Sequence, residues 1–201
     1  MFVQIIQGKC RDADTLHRQI DMWRQEQGPK AEGWLGGTYG ITEDNTFVGV
    51  VRFESKEAAA RNSTRPEQGA WWAETEKCFD GEVTFHDCDD AILFLDGGAD
   101  DAGFVQVMRG TSEDVERMHS LFNSHTDELR AGRPEIIGGL MLDAGEGRYV
   151  DAIYFRSEEA AREGEAAEPP EDVASDIEEA MRLMGDVTYF DLKDPILRSP
   201  S

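Results

Sequence analysis

The feature that most constrains this chain is an internal duplication. Sliding the sequence by 102 positions aligns residues 2–61 with 104–163 without a gap, and 15 of the 60 pairs are identical, whereas chance gives roughly four for ordinary compositions. After a two-residue insertion near the breaks at Pro66 and Pro169-Pro170, residues 81–93 match again at an offset of 104. We therefore predict a first repeat over residues 1–95, a linker over 96–102, and a second repeat with a short C-terminal tail over 103–201.

Within each copy the hydrophobic period alternates between that of a strand and that of a helix. The first copy predicts, in order, a strand at Phe2–Gly8, a helix from the N-cap Asp12 to Gln27, strands at Trp34–Ile41 and Thr46–Phe53, a broken helix from Ser55 to Phe79, and a strand at Glu82–Asp87. The second copy predicts the same order, with strands at Gly103–Gly110, Glu135–Leu142, Arg148–Phe155 and Asp186–Phe190 and helical regions at Ser112–Arg130 and Ser157–Met184. This β-α-β-β-α-β order is that of a ferredoxin-like unit.

The composition of the strands indicates how the two units are used. The predicted strands that end at Phe53 and Phe155 are largely apolar on both faces, so both faces of each sheet must be covered. Two fused copies can do this face to face. The predicted fold class is therefore α+β, with two tandem ferredoxin-like repeats forming a single-chain pseudo-dimeric α+β barrel. Since fusion supplies the dimer internally, we expect a monomer.

Charge and cysteine content limit the partners and the compartment. Asp and Glu outnumber Lys and Arg 42 to 20, which gives a formal net charge of −22. Such a surface repels nucleic acid and anionic membranes, so we expect neither as a partner. The three cysteines have no counterparts in the second copy, which argues against a disulfide framework. With no signal peptide and no apolar run near ~18 residues, we expect a cytoplasmic protein.

Two short patterns carry a resemblance to a known family. Gly36-Gly37 precedes Phe53-Glu-Ser-Lys-Glu-Ala-Ala59, and Gly138-Gly139 precedes Phe155-Arg-Ser-Glu-Glu-Ala-Ala161. With the strand order, these patterns resemble the dimeric α+β barrel superfamily, and within it the proteins grouped with antibiotic biosynthesis monooxygenases. The stretch from Asn62 to Trp72, followed by Phe79-Asp-Gly81, also resembles uncharacterised bacterial members of that group.

This resemblance implies a cleft between helices and sheet that holds small, often aromatic molecules. Some members oxygenate such molecules without metal or flavin, whereas others degrade haem or isomerise lactones. Haem-degrading members use an Asn in the first strand, a Trp at the end of the third and a His on the second helix. This chain has Gln4 or Gln7 in the first strand, Phe53 and Phe155 at the third-strand ends, and no His on either second helix, so we do not expect haem degradation.

Four polar residues are retained at equivalent positions of both copies. His17 and His119 lie in the first helix of each repeat, and Gln4 and Gln106 lie in the first strand. An imidazole beside a cleft could act as a general base, and a strand glutamine could hold a ligand oxygen. Alternatively, both pairs satisfy hydrogen bonds within the fold. We take His17 and Gln4 as catalytic candidates. Since isolated histidines lack the clustered ligands of a metal site, we expect no metal and no cofactor.

Aromatic residues distinguish the two halves. All four tryptophans lie in the first copy, so a cleft for an aromatic ligand is expected there. Trp71 and Trp72 are the candidate ligand-binding pair, although neighbours on a helix point about 100° apart and only one is expected to line a pocket. The candidate set is completed by polar residues of both halves, namely Tyr39, Arg52, His119 and Gln106.

Two functional hypotheses follow. The first is a protein that binds a small aromatic or polyketide-like molecule and oxygenates it without a cofactor. The second is a non-catalytic protein, binding a small ligand or connected with stress, in which duplication fixed a former homodimer as one chain. A structure separates them in part, because the second predicts side chains filling the cleft in both halves.

Overall fold

The computed structural model describes residues 1–89, 91–167 and 173–200. Its contacts divide the chain into two compact units, one formed by Met1–Asp90 with Ile196–Ser201 and the other by Ala91–Pro195. The elements in chain order are β1 Phe2–Cys10, α1 Ala13–Met22, β2 Trp34–Ile41, β3 Thr46–Phe53, α2 Lys56–Ser63, α3 Pro66–Thr75, β4 Phe79–Cys88, β5 Ala91–Phe94, β6 Phe104–Ser112, α4 Val115–Ser124, α5 Thr126–Gly132, β7 Ile136–Gly145, β8 Arg148–Phe155, α6 Glu158–Glu165, α7 Ala174–Leu183, β9 Met184–Lys193 and β10 Ile196–Arg198.

The repeated sequence motifs are the starts of helices. The side chain of Asp12 accepts a hydrogen bond from the Thr15 amide at 3.0 Å and begins α1. The serine of the Phe-x-Ser-x-Glu-Ala-Ala pattern does the same for the helix that follows this pattern in each repeat, where Ser55 caps α2 and Ser157 caps α6. These oxygens satisfy amides that have no partner inside the helix. The pattern retained by duplication is therefore a strand end joined to a helix cap.

Each unit contains a five-stranded antiparallel sheet. The orders are β10-β2-β3-β1-β4 in the first unit and β5-β7-β8-β6-β9 in the second. Without β10 and β5, the remaining four strands of each sheet follow the ferredoxin-like order. The fifth strand is exchanged between repeats: β5, at the end of the first repeat, pairs with β7 of the second, and β10, at the end of the second repeat, pairs with β2 of the first.

The predicted fold class is confirmed as α+β with tandem ferredoxin-like repeats. The bounds of β2, β3 and β8 agree with the sequence prediction. The exchanged strands β5 and β10 were not predicted, because runs of three or four residues carry no readable period. The continuous helix predicted over Ser112–Arg130 is interrupted at His125, which separates α4 from α5. The break predicted at Pro169-Pro170 lies outside the described residues.

The spatial units do not follow the repeats at their ends. The predicted boundaries, with a first repeat to residue 95 and a second from 103, describe the duplication and stay a prediction. In space, Ala91–Phe94 belongs to the second unit and Ile196–Arg198 to the first. The edge strand beside β2 and the edge strand beside β7 therefore each come from the end of the other repeat.

Candidate functional site

The first unit contains a cavity of about 380 Å³ between its helices and one face of its sheet. Its walls come from β1, β2, β3, β4 and β10 on the sheet side, and from α1, α2, α3 and the turn after α1 on the helix side. Every one of these elements belongs to the first unit. A volume of this size suits a small organic molecule of a few fused or linked rings.

All four tryptophans of the chain line this cavity. Trp23, in a π-helical turn that continues α1, packs edge-on against Trp34 at the start of β2, with ring centroids 4.9 Å apart. Trp23 also lies 6.3 Å from Trp71, and Trp71 lies 6.0 Å from Trp72 on α3. The four rings thus form one continuous chain around the cavity. We call them the tryptophan cluster.

The indole N–H groups of the cluster differ in their partners. Trp23 Nε1 donates to Gln68 Oε1 at 2.6 Å, and Trp71 Nε1 donates to the Gln19 carbonyl at 2.8 Å. Trp34 is only 6% exposed, yet its Nε1 has no hydrogen-bond partner among the residues that the structure describes. A buried donor without a partner costs free energy in the empty protein, which makes Trp34 Nε1 a candidate ligand contact.

Phe85 on β4 lies at the exposed border of the cavity. Its ring meets Trp72 edge-on at 5.1 Å, and 44% of the residue remains exposed. The equivalent residue of the second repeat, Tyr189, is 55% exposed. An exposed phenylalanine beside a partly buried tryptophan leaves an apolar surface that a ligand can cover.

The glycines of the Gly36-Gly37 pattern make room for neighbouring side chains. A Cβ atom on Gly37 would collide with the hydroxyl end of Tyr39, and one on Gly36 would collide with the Arg52 guanidinium. Gly36 also has φ of +130°, which side chains rarely adopt. The glycine at position 37 therefore allows the ring of Tyr39 to fold back along β2 at the cavity wall.

The polar side chains at the cavity are held by neighbours. Gln4 Nε2 donates to Asp87 Oδ1 at 2.9 Å, so its carboxamide is oriented by the adjacent strand. Arg198 donates through Nη2 to Asp21 Oδ1 at 2.6 Å, while its Nε is buried and lacks a partner within the described ranges. Burial raises the pKa of the Tyr39 hydroxyl against the opposing attraction of two arginines, so Tyr39 stays neutral at physiological pH.

The structure brings some of the sequence-predicted site residues together and separates others. Trp71, Trp72, Tyr39 and Gln4 all line the cavity. The expectation that only one of the adjacent tryptophans reaches it differs from the structure, because the cavity extends from the side of α1, where Trp71 bonds Gln19, to the border at Phe85, where Trp72 lies.

His17 and Arg52 do not line the cavity. His17 is exposed on α1. Arg52 lies between Val51 and Phe53, which both line the cavity, and since successive side chains of a strand point to opposite faces, Arg52 belongs to the other face of the sheet. Neither of these two predicted site residues therefore contributes to the cavity wall.

His119 lies in the second unit in a buried polar group. It is 2% exposed, and its Nε2 lies 3.0 Å from Asp151 Oδ1. The Tyr149 ring stands edge-on to the His119 ring. Burial raises the pKa of Asp151, with the neighbouring His119 opposing the shift. In the first copy, Gly49 and Phe47 occupy the positions of Asp151 and Tyr149, so the two retained histidines have different surroundings.

Gln106 in the second unit makes the same kind of bond as Gln4. Its Nε2 donates to Asp191 Oδ1 at 3.0 Å and lies 3.4 Å from Glu165 Oε1. Asp87 and Asp191 are themselves equivalent residues of the repeat. The bond between the first strand and the last strand is therefore retained in both copies, which fits the structural alternative for both glutamines.

Sequence reasoning did not assign Trp23, Trp34, Phe85 or Arg198 to a site. The confinement of all tryptophans to one copy was the available signal for Trp23 and Trp34. The alignment of Arg198 with Phe94, at the same offset that relates Ile92 to Ile196, was the signal for Arg198. Phe94 is 3% exposed and packs with Leu95 and Met141 in the second unit, so one repeat presents an apolar core residue where the other presents a cation.

The described part of the chain does not meet the requirements of a metal site, a disulfide or a helical membrane span. No group of three or more His, Cys, Asp or Glu residues with metal-binding geometry occurs there. The three cysteines, Cys10, Cys78 and Cys88, are free and buried. No helix in the described ranges is both long and apolar enough to span a membrane.

Several solved structures are similar to the chain over nearly its whole length. A protein from Lactobacillus acidophilus NCFM, provisionally named a monooxygenase, has a TM-score of 0.76 at 13% identity, covering 98% of this chain and 95% of its own. Another provisionally named monooxygenase, from Fusobacterium nucleatum subsp. nucleatum, has a TM-score of 0.73 at 9% identity, covering 100% and 94%. An anthrone oxidase-like protein has a TM-score of 0.66 at 11% identity, covering 98% and 92%.

No protein-family model matches the sequence, and no curated protein matches it significantly. The structural similarity confirms the predicted fold, which this chain shares with these proteins over nearly its whole length. At 13% identity or less it carries no information about the reaction, since one fold hosts many functions. Any function must therefore be argued from the cavity.

Proposed function

We propose that the first unit binds a small aromatic molecule in the cavity lined by the tryptophan cluster. The observation that carries this proposal is the convergence of all four tryptophans of the chain on one cavity of about 380 Å³. Indole rings provide large, rigid surfaces for stacking or edge-on contact with an aromatic ligand. The second unit has no tryptophan, so one ligand per chain is expected.

The arrangement of the cluster favours a planar ligand. Trp23 and Trp34 are nearly perpendicular, at 74°, and Trp72 and Phe85 stand at 69°. A flat molecule that lies against such a pair can meet one ring face-on and the other edge-on, which are the two favourable geometries for aromatic contact. Polar groups such as Gln4 and Tyr39 stand at the sheet side and would fix the orientation of the ligand.

A titration with a neutral aromatic probe, 2-naphthamide, followed by tryptophan fluorescence and calorimetry, tests this proposal. We expect saturable binding with one site per chain. Phe85→Ala should weaken binding several-fold, because it removes the apolar border of the cavity, whereas Tyr189→Ala, at the equivalent position of the second repeat, should leave it unchanged. Absence of binding, or equal losses in the two variants, would contradict the proposal.

The second candidate function is oxygenation of the bound molecule without a cofactor. It is favoured by the whole-length similarity to a protein named anthrone oxidase-like. In such a reaction an activated CH₂ group between aromatic rings loses a proton, the carbanion reacts with O₂, and the group becomes a carbonyl with release of one water. The atoms balance, since the substrate loses two hydrogens, gains one oxygen and transfers the other oxygen to water.

The cavity constrains how that proton could leave. Among the described residues that line it, none is His, Asp, Glu, Cys or Lys, and Tyr39 has a raised pKa. The lining therefore lacks an ordinary general base. Oxygenation here would require a substrate acidic enough to ionise in solvent or beside an arginine, and His17, exposed on α1, would not contribute.

Oxygen uptake separates the two candidates. Chelator-treated protein is mixed with anthrone, and oxygen consumption is compared with the spontaneous rate. If the protein oxygenates its ligand, consumption should rise above the spontaneous rate, fall at least about tenfold in Trp71→Ala, and persist in both His17→Ala and Tyr189→Ala. Binding of 2-naphthamide without any added oxygen consumption would leave the chain as a binding protein only.

A further inference from the structure

The polar atoms of the cavity are unevenly divided between donors and acceptors. Arg65, which can only donate, bonds Asn62 Oδ1 at 2.9 Å, and the Trp23 N–H bonds Gln68 Oε1 at 2.6 Å. The oxygens of both carboxamides are thus used by the protein, so their NH₂ groups are the ends available to a ligand. Both Asn62 and Gln68 line the cavity.

Two further donors at the cavity are buried without partners. They are Trp34 Nε1 and Arg198 Nε, neither of which has a hydrogen-bond partner in the described part of the chain. Arg198 makes one ion pair, with Asp21 at 2.6 Å, and Asp21 is 51% exposed. Solvent screens the exposed Asp21 carboxylate, and the pair uses Nη2 of Arg198, so the buried Nε remains a donor for a ligand.

The charge of the lining is opposite to that of the chain. The protein has 42 acidic and 20 basic residues, yet the described lining residues include two arginines, Arg24 and Arg198, and no Asp or Glu. An enclosed, partly apolar wall strengthens the field of such cations. Acceptor oxygens remain on Gln4, whose NH₂ is used by Asp87, on Ser63, whose hydroxyl donates to the Ala59 carbonyl, and on the Tyr39 hydroxyl.

We propose that the aromatic ligand is an acid bound as its anion, with its carboxylate held by Arg198 and the indole N–H of Trp34. This inference rests on the proposed function and adds the chemical class of the ligand. Asn62 and Gln68 supply further N–H donors, and Gln4 accepts from a hydroxyl on the ligand. Arg198 enters the site on β10, where it pairs with Gly37 of β2, so the exchanged strand carries the residue that selects the ligand.

The repeat supports the assignment of Arg198. Phe94 is the equivalent residue on the other exchanged strand, and it pairs with Gly139 as Arg198 pairs with Gly37. Phe94 is buried and lies against Gly139. The same strand position therefore fills space in the second unit and presents a cation to a cavity in the first.

The test compares two probes of nearly equal shape, 2-naphthoate and the neutral 2-naphthamide, by calorimetry. In the wild-type protein we expect naphthoate to bind at least about tenfold more tightly. Arg198→Gln should reduce that ratio to about one by weakening naphthoate binding much more than naphthamide binding, and a circular dichroism spectrum like that of the wild type checks that the variant is folded. Arg198→Lys should retain part of the preference. Arg148→Gln, which removes an exposed arginine of the second unit with the same change in net charge, should retain all of it.

The outcomes separate the two proposals. Equal affinity of the wild-type protein for both probes would overturn the inference and leave aromatic binding intact. Failure of both probes to bind would overturn the proposed function itself. A preference for naphthoate that survives Arg198→Gln would overturn the assignment of Arg198.

Discussion

Replacing Trp34 and Trp71 with phenylalanine, one at a time, tests whether the indole N–H of Trp34 lacks a hydrogen-bond partner in the protein without ligand. Each change removes an indole N–H and roughly 40 Å² of apolar surface, which costs about 1 kcal/mol at ~25 cal/mol/Å². In Trp71 the lost N–H is bonded to the Gln19 carbonyl, and a hydrogen bond contributes about 1 kcal/mol. Trp71→Phe should therefore lower the free energy of unfolding by about 2 kcal/mol.

Trp34→Phe should behave differently. Its N–H is buried without a partner in the described residues, and an unsatisfied donor costs about 1–3 kcal/mol. Removing it offsets the lost apolar contact, so Trp34→Phe should be neutral or more stable than the wild type by up to about 2 kcal/mol. The same variant should bind 2-naphthoate more weakly, a trade of function for stability.

Urea unfolding followed by far-ultraviolet circular dichroism measures both variants without depending on tryptophan emission. The two variants should differ in free energy of unfolding by about 2 kcal/mol or more, and this difference is insensitive to errors in the apolar contribution, which largely cancel. Trp34→Phe costing as much stability as Trp71→Phe would refute it, since the N–H of Trp34 would then have to be satisfied in the protein without ligand.

Three further predictions follow from the structure. Burial raises the folded-state pKa of Asp151, so the wild-type protein should lose stability relative to Asp151→Asn as pH rises through that pKa. Urea midpoints of both proteins at pH 4.5 and 8 check this. A stability difference that does not change with pH would contradict it. Burial raises the pKa of the Cys10 and Cys78 thiols, so a disulfide reagent at pH 8 should label them only after unfolding, and rapid labelling of folded protein would be the contrary result. Ending the chain at Pro195 removes β10 and should reduce naphthoate affinity at least about tenfold while most of the circular dichroism signal remains; undiminished affinity would argue against a role for β10.

The hydrophobic pattern was sufficient to predict the bounds of strands that are apolar on both faces. Trp34–Ile41 and Arg148–Phe155 could be predicted to the residue, because long apolar runs between turn residues leave few alternative registers. The α+β class and the repeat followed from the same signal. The duplication also predicted that a ligand site would lie in the first half, since the tryptophans there have no aromatic counterparts other than His125.

The remainder of the site depends on contacts that no local pattern contains. Arg198 reaches the cavity only because β10 pairs with a strand of the other repeat, and such a long-range pairing leaves no period in a run of three residues. For His17 the sequence pattern indicated a site residue that the structure places outside the cavity. Its retention beside an apolar stripe indicated a role at a cleft, but whether a helix residue faces a cavity depends on the rotation of α1 against the sheet. Its exposure follows from that rotation.

The exchange of β5 and β10 also sets an order in time. Strand β10 is made about 155 residues after β2 ends, which at ribosomal speed is a delay on the order of ten seconds. During that interval the first unit can form strands β1 to β4, but its cavity lacks Arg198 and β2 is an edge strand with one side unpaired. Translation that stops early would therefore release a folded unit without its anion-binding residue. Competence of the site is in this way linked to synthesis of the second repeat, from which, among the described residues, only β10 contributes to the cavity wall.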